Sequence, residues 1–184
     1  MSNHLKGGMI LAHSTLQGES GAMDVGKLLS LYGNDLLRIC FLYLRDYHMA
    51  EDALQDTFEK AIRAFPRFRG ECAEKTWLTR IAINVCKNKL RAPWHKRRVD
   101  DADFCARLAE TKPTEEGENS ESLALAISKL SPKYKEVVLL FYYEEMQLKE
   151  IAGTLHIPEA TVSTRLLRAR EELRRTAKEW YYDE

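Results

Sequence analysis

Residues 151–175, IAGTLHIPEATVSTRLLRAREELRR, contain two short segments of helical periodicity that are separated by a turn at 157–158. In the second segment, Thr164 and Arg168 fall on the side of the helix opposite the apolar residues, so we expect them to be exposed. The apolar side consists of Val162, Leu166, Ala169 and Leu173. Arginine and threonine on an exposed second helix are typical of a helix-turn-helix that enters the major groove of DNA. A helical hairpin with its charges in solvent would show the same spacing.

The charges of the chain are segregated, although its 28 basic and 28 acidic residues cancel. Residues 60–98 carry 12 basic and 2 acidic residues, whereas residues 99–122 carry 2 basic and 8 acidic residues. A local surplus of ten positive charges suits a polyanionic partner such as nucleic acid. The acidic segment could compete with DNA phosphates for this basic region, or it could only keep a linker soluble and extended.

The segment TWLTRIAINVCKNKLR, residues 76–91, predicts a helix with a polar stripe at spacings of three and four residues. The stripe consists of Trp77, Arg80, Asn84, Lys87 and Arg91. An aromatic ring can stack on a base, an amide can pair with a base edge, and cations can bind phosphates, so the stripe favours binding of single-stranded nucleic acid. Trp77 by itself would also fit a core aromatic residue.

The preceding segment, AEDALQDTFEKA, places carboxylates outside an apolar stripe. Paired carboxylates can serve catalysis or bind a metal, but no histidine accompanies them at helical spacing, so a solvated or protein-binding face is favoured. The four cysteines form no C-x-x-C pair, and we expect reduced thiols and neither a metal site nor a cofactor. No run is long enough for a membrane span, and we expect a cytoplasmic protein.

We predict an all-α fold of two small helical domains joined by a flexible acidic linker, because apolar residues recur at helical spacing and no alternating strand pattern of useful length is present. Residues 1–22 form a tail, 23–98 the first domain, 99–122 the linker and 123–184 the second domain. Ser131 and Pro132 predict the start of a helix in the second domain. Its expected inner face is Tyr134, Val137, Val138, Phe141 and Tyr142.

Two stretches together resemble the extracytoplasmic-function (ECF) sigma factors, a group of the sigma-70 family of bacterial transcription initiation factors. The first is AEDALQDTFEKAIRAFPRF (50–68) followed by TWLTRIAINVCKNKLR (76–91). The second is LSPKYKEVVLLFYYEEMQLKEIAGTLHIPEATVSTRLLRAREELR (130–174). The resemblance covers most of residues 24–175 and implies a sigma domain 2 followed by a sigma domain 4.

The resemblance also implies partners and site residues. The partners are core RNA polymerase, through its β′ clamp helices and β flap, promoter DNA, and an anti-sigma factor. The residues implied to bind polymerase are Asp52, Gln55, Asp56 and Glu59. Those implied at the −10 element are Arg67, Phe68, Arg69, Trp77, Arg80, Asn84, Lys87 and Arg91, with the loop 67–71 receiving a flipped base. Those implied at the −35 element are Thr161, Ser163, Thr164, Arg165, Leu167 and Arg168.

The chain departs from the family pattern where Ala160 replaces a usual glycine and Ser163 replaces a frequent basic residue. The base preference at the −35 element therefore cannot be transferred. A rival interpretation is a helix-turn-helix regulator that binds duplex DNA without polymerase, and it predicts tight promoter binding by the chain alone. An enzyme that processes nucleic acid is disfavoured, because the sequence offers no metal cluster, nucleophile pair or phosphate loop.

Overall fold

The computed structural model describes residues 24–91, 101–110 and 119–182, and within these ranges all regular elements are helical. The helices are α1 (Val25–Leu44), α2 (Tyr47–Ala64), α3 (Glu74–Arg91), α4 (Asp101–Glu110), α5 (Asn119–Lys129), α6 (Pro132–Val138), α7 (Leu148–Leu155) and α8 (Glu159–Tyr182). A 3-10 turn, Phe65–Arg67, follows α2, and a π-helical turn, Leu139–Tyr143, continues α6. The all-α prediction is confirmed. The predicted tail, 1–22, lies outside the described residues.

Aspartate side chains begin the first two helices. Asp24 accepts a hydrogen bond from the backbone N–H of Lys27 at 2.9 Å, and Asp46 accepts one from Met49 at 3.0 Å. Each bond satisfies an amide that has no partner within its own helix. Between these helices Arg45 adopts a left-handed conformation (φ 61°), and its N–H donates to the carbonyl of Phe41. The chain therefore reverses sharply and α2 packs back along α1.

The first half of the molecule is a bundle of α1, α2 and α3. Alanines on the inner faces, such as Ala53 and Ala82, are fully buried and allow the helix backbones to approach closely. Helix α1 is buried on all sides from Leu36 to Leu44. It contacts α2 and α3 on one side and α5 on another, so it forms the side of the first half that meets the second half.

Helix α4 corrects the prediction that residues 99–122 form a linker without packed structure. Phe104 and Leu108 are fully buried, and the Phe104 ring stacks on Phe41 of α1 with a centroid distance of 4.6 Å. Arg107 lies over the ring of Tyr47 at 5.6 Å. Two apolar residues four positions apart do not form a recognisable helical stripe within an acidic segment. They can nevertheless hold a short helix in place when the surface of a folded bundle is available to bury them.

Helix α6 begins as predicted, with Ser131 at the N-cap and Pro132 in the first turn. The expected inner face is wrong at Tyr142, which is 50% exposed, whereas Leu139 and Leu140 are fully buried. Every residue from Lys135 to Leu140 is buried, because α6 packs against α8 on one side and lies against the first half of the molecule on the other. A prediction that assumes one buried face therefore misses the residues that are buried on the other side of this helix.

The two predicted domains are therefore present but share one continuous core, to which buried residues of both halves contribute. Polar contacts also join the halves. Lys135 of α6 donates to the carbonyl of Tyr43 at 3.1 Å, and Lys75 of α3 pairs with Glu144 at 3.7 Å. In this structure the chain is closed on itself.

Candidate nucleic-acid interface

Helices α7 and α8 form the helix-turn-helix that the sequence predicts. His156 ends α7 in a left-handed conformation (φ 53°), and α8 begins three residues later. The inner residues of α8, Val162, Leu166 and Ala169, are buried as expected. On the opposite side Ser163, Thr164, Leu167 and Arg168 are exposed, with Leu167 at 57%. The proposed base-reading residues of α8 are thus accessible to a DNA groove, except Thr161 and Arg165, which are half-buried.

A groove of about 380 Å³ runs beside the first turns of α8. Two of its lining residues, Lys133 and Tyr134, come from the start of α6, and the sequence did not predict that they lie beside α8. The Lys133 Nζ lies over the Tyr134 ring at 4.9 Å. The remaining lining residues are Ala160, Thr161, Thr164, Arg165 and Arg168. The only sequence signal for Lys133 is a cation beside the helix-starting Pro132, because the contact with α8 is made across about 30 residues of chain.

Arg165 lies at the inner edge of this groove, and its guanidinium Nη1 contacts the Glu136 Oε1 at 3.0 Å. The other carboxylate oxygen of Glu136 accepts a hydrogen bond from the Nζ of Lys87 at 2.8 Å. The Glu136 side chain is only 6% exposed, so both cations meet it in a water-poor environment. One carboxylate thus binds a cation from the proposed −35 surface and a cation from the proposed −10 surface. The sequence pattern did not identify Glu136.

The polar stripe on α3 has three kinds of environment. Asn84 and Arg91 are exposed, whereas Lys87 is held by Glu136. Arg80 is half-buried, and among the described residues its Nε is shielded from solvent without a hydrogen-bond partner. A shielded guanidinium nitrogen without an acceptor costs free energy.

Trp77, at the start of the stripe, is half-buried and stacks on Phe68 with a centroid distance of 4.7 Å and an interplanar angle of 25°. Phe65 contacts both rings at 6.3 Å. This aromatic cluster fixes the loop that follows α2 against α3. The basic residues of that loop, Arg67 and Arg69, are exposed.

Helix α2 presents the predicted carboxylates on its outer face, opposite the buried Ala53, Thr57 and Phe58. Asp52, Gln55 and Glu59 are exposed, and the Gln55 amide donates to Glu59 at 3.4 Å. Asp56 differs from them, because its carboxylate pairs with Lys89 of α3 at 2.9 Å. Three of the four proposed polymerase-binding residues are therefore exposed on the surface of α2, and the fourth also ties α2 to α3.

Buried ionisable groups concentrate between the two halves. Burial, reinforced by the positive charge of Arg45, lowers the pKa of Lys135 to about 7. Burial also raises the pKa of the Glu144 carboxyl, and the nearby Lys75 opposes this rise. Burial disfavours the charged form of either group, so charge at this contact is costly.

Among the described residues, no three histidine, cysteine, aspartate or glutamate side chains lie close enough together to hold a metal ion. Among the same residues, no helix combines the length and apolarity that crossing a bilayer requires.

Comparisons with known proteins agree with this arrangement. The family model described as sigma-70 region 2 matches residues 28–96, and that of sigma-70, region 4, matches residues 120–173. The RNA polymerase sigma-H factor of Pseudomonas aeruginosa is 32% identical over 177 residues, covering 89% of this chain and 90% of that protein. The ECF RNA polymerase sigma-E factor of Haemophilus influenzae is 32% identical over 175 residues, covering 88% and 90%.

Solved structures show the same fold. A structure of CnrH in complex with the cytosolic domain of CnrY has a TM-score of 0.61 at 25% identity, covering 84% of this chain and 87% of that one. The sigma factor RpoE of Bartonella quintana, in complex with the anti-sigma factor NepR, has a TM-score of 0.64 at 20% identity, covering 84% and 97%. Both sigma regions, in the same order and over most of the chain, therefore establish that this protein belongs to the sigma-70 family of RNA polymerase sigma factors, within its ECF group.

Proposed function

We propose that the chain binds core RNA polymerase and directs transcription initiation at promoters, with its first half acting at the −10 element and its second half at the −35 element. The observation that carries this proposal is the pairing of a sigma-70 region 2 with a sigma-70 region 4 in one chain. A stand-alone regulator would not require the first of these regions, so that alternative is not favoured.

At the −35 element, Arg168 and Thr164 are the side chains best placed for base contacts, because they are exposed on the outer face of α8. Thr161, Ser163 and Leu167 flank them. Lys133 lines the same groove from α6 and is suited to a phosphate contact. Guanidinium pairs with guanine edges, and a lysine at a phosphate supplies charge without base selectivity.

At the −10 element, the exposed Asn84 is the residue suited to distinguish one base from another, and Arg91 and Lys87 are suited to bind phosphates. The exposed Arg67 and Arg69 flank the aromatic cluster of Phe68 and Trp77, which offers a stacking surface for an unpaired base. Strand opening and base capture would thus take place on one side of α3 and its preceding loop.

The partner implied by the acidic face of α2 is a basic helical surface of polymerase, with Asp52, Gln55 and Glu59 as the contact residues. CnrH and the Bartonella RpoE are each bound to another protein in their structures, and we propose that an anti-sigma factor likewise binds this chain. We expect no catalytic activity of the chain itself, and we propose that it works in the bacterial cytoplasm.

The proposed function is tested by transcription in vitro from a promoter library with purified core polymerase, with and without this chain. The expected result is promoter-specific transcript only when both are present, together with weak promoter binding by the chain alone. Tight and specific promoter binding without polymerase, with no transcript on adding it, would contradict the proposal and favour a stand-alone regulator.

A further inference from the structure

The centre of the exposed face of α8 carries an apolar line. The line consists of Ala160, Thr164 and Leu167, at spacings of four and three residues, and all three are exposed. It lies opposite the buried side of the helix, where Val162 and Ala169 are fully enclosed. A single exposed leucine is ordinary on a protein surface, but here it continues a line on the helix that is proposed to enter DNA.

The hydroxyl group of Thr164 is engaged within its own helix. It donates to the carbonyl oxygen of Ala160 at 2.8 Å. Because a hydroxyl has only one proton to donate, Thr164 cannot donate to a base while this bond is made. This bond to the carbonyl four residues earlier is a common conformation of threonine in helices. The exposed side chain therefore offers DNA its methyl group and, at most, a hydrogen-bond acceptor.

Both departures from the family pattern increase the apolar character of this face. The usual glycine would contribute no side chain at position 160, whereas Ala160 adds a methyl group to the line. Ser163 leaves the neighbouring position without the frequent positive charge. Arg168 lies on the other side of the line and borders the groove together with Lys133. Positive charge is thus available beside the line, while its three members are uncharged.

An apolar contact in the major groove has one natural target in DNA. Thymine presents a 5-methyl group there, and it is the only one of the four standard bases with a methyl group on that edge. We propose that α8 reads a thymine of the −35 element through this methyl group, with Leu167 and Thr164 as the contacts and Ala160 extending them. This inference rests on the proposed function, because it assumes that α8 enters the major groove at that element.

The surroundings of the line favour DNA over a protein partner. Lys133 and Arg168 border the same groove as Thr164, so cations suited to phosphates and to guanine lie next to the apolar contact. Three side chains also provide far less surface than the roughly 800 Å² per partner that a stable protein interface buries. A base edge flanked by phosphates matches both the size and the charge of this face.

The test uses the full chain with core polymerase and a promoter selected from a library by the native chain. Each thymine of the −35 element is replaced in turn by deoxyuridine, which lacks only the 5-methyl group. One replacement should weaken promoter binding about fourfold, the effect expected from exposing one buried methyl group. Thymines that α8 does not contact should tolerate the replacement.

Variants of the line assign this effect to its side chains. Leu167→Ala should bind the thymine and deoxyuridine promoters equally, because it removes most of the apolar contact. Thr164→Ser keeps the hydroxyl and loses the methyl group, so it should reduce the preference for thymine. Thr164→Val keeps a methyl group in the same place without the hydroxyl, and it should retain the preference.

The matched control is Leu31→Ala on α1. Leu31 is 56% exposed, almost the same as Leu167 at 57%, and it lies outside the proposed interfaces. The control therefore removes an equally exposed leucine without touching α8, and it should keep the preference of the native chain. Loss of the preference in this control would show that the effect does not come from the line, and it would overturn the proposal.

A −35 element without a methyl-dependent thymine would also overturn the proposal. A preference that persists in Leu167→Ala would do the same, and if transcription fell in that variant, Leu167 would be assigned to a protein contact. Loss of the preference in Thr164→Val but not in Thr164→Ser would show that the hydroxyl contacts the base. Failure of the proposed function has a different signature, because the native chain with core polymerase would then give no promoter-specific transcript.

Discussion

Lys135 should make the stability of this protein rise with pH over a range in which most proteins change little. Its side chain is 4% exposed and lies at the contact between the two halves, where its Nζ donates to the carbonyls of Tyr43 at 3.1 Å and Ser128 at 2.6 Å. No carboxylate offsets the effect of burial on the pKa of Lys135. Burial and the charge of Arg45 lower that pKa from 10.5 to about 7.

The sign follows from proton counting. Between the folded pKa of about 7 and the unfolded value of 10.5, the unfolded chain binds one proton more than the folded chain. The free energy of unfolding therefore increases with pH, by about 1.4 kcal/mol per pH unit at most. From about pH 7, where Lys135 is half-protonated, to about pH 8.5, the increase amounts to between about 1 and 2 kcal/mol.

The upper end of this range is set by Cys86. A hydrogen bond with Cys40, and then burial, raise the pKa of the Cys86 thiol well above 9.0, so its ionisation in the unfolded chain lowers stability at still higher pH. The measurement is urea unfolding of the full chain under reducing conditions at several pH values between 7 and 8.5. Lys135→Met, which keeps a long side chain without the charge, should abolish the rise.

The control is Lys133→Met on the same helix, since Lys133 is exposed and its loss should leave the pH dependence intact. An unchanged rise in Lys135→Met, or a native stability that is flat or falling over this range, would refute the reasoning and show that Lys135 stays protonated in the folded chain.

Three further predictions concern the proposed interfaces. Asp52→Arg should weaken binding to core polymerase roughly tenfold or more. The far-ultraviolet circular dichroism should stay native, because Asp52 is exposed. Loss of the helical signal would instead show that Asp52 is needed for the fold. Asn84→Ala should reduce discrimination at one −10 position by roughly 1 to 3 kcal/mol in a promoter library, whereas Arg91→Ala should weaken all sequences alike, and identical profiles would contradict base reading by Asn84. Arg168→Ala should impair selectively the promoters that carry a −35 element, and equal loss on all promoters would assign Arg168 to phosphate.

Much of the fold could be predicted from periodicity. The apolar spacing gave the helix over 76–91 and the helix-turn-helix, and Val162, Leu166 and Ala169 are buried as expected. Local signals also set a helix start, at Pro132. These predictions succeed because a helix with one buried side carries apolar residues at helical spacing along that side, and this pattern can be read from the sequence.

Helix α4 and helix α6 could not be predicted in this way. The burial of Phe104 depends on Phe41, which is more than sixty residues earlier in the chain. Lys135 and Glu136 would ordinarily be assigned to a solvated surface, because burying charge is costly unless partners are present. Their partners, Tyr43, Ser128, Lys87 and Arg165, come from four other helices.

The sequence by itself determined which side chains the two proposed DNA-binding surfaces contain, because residue type and helical spacing are local properties. Asn84 and Arg168 are exposed where the helical spacing places them. Only the tertiary structure decided what those side chains contact. It placed Lys133 beside α8, and it brought Lys87 and Arg165 to the same buried carboxylate of Glu136. The reason is that pairing of charges depends on distance in space. The packing of α6 against α8 and against the first half sets these distances, and they cannot be inferred from spacing along the chain.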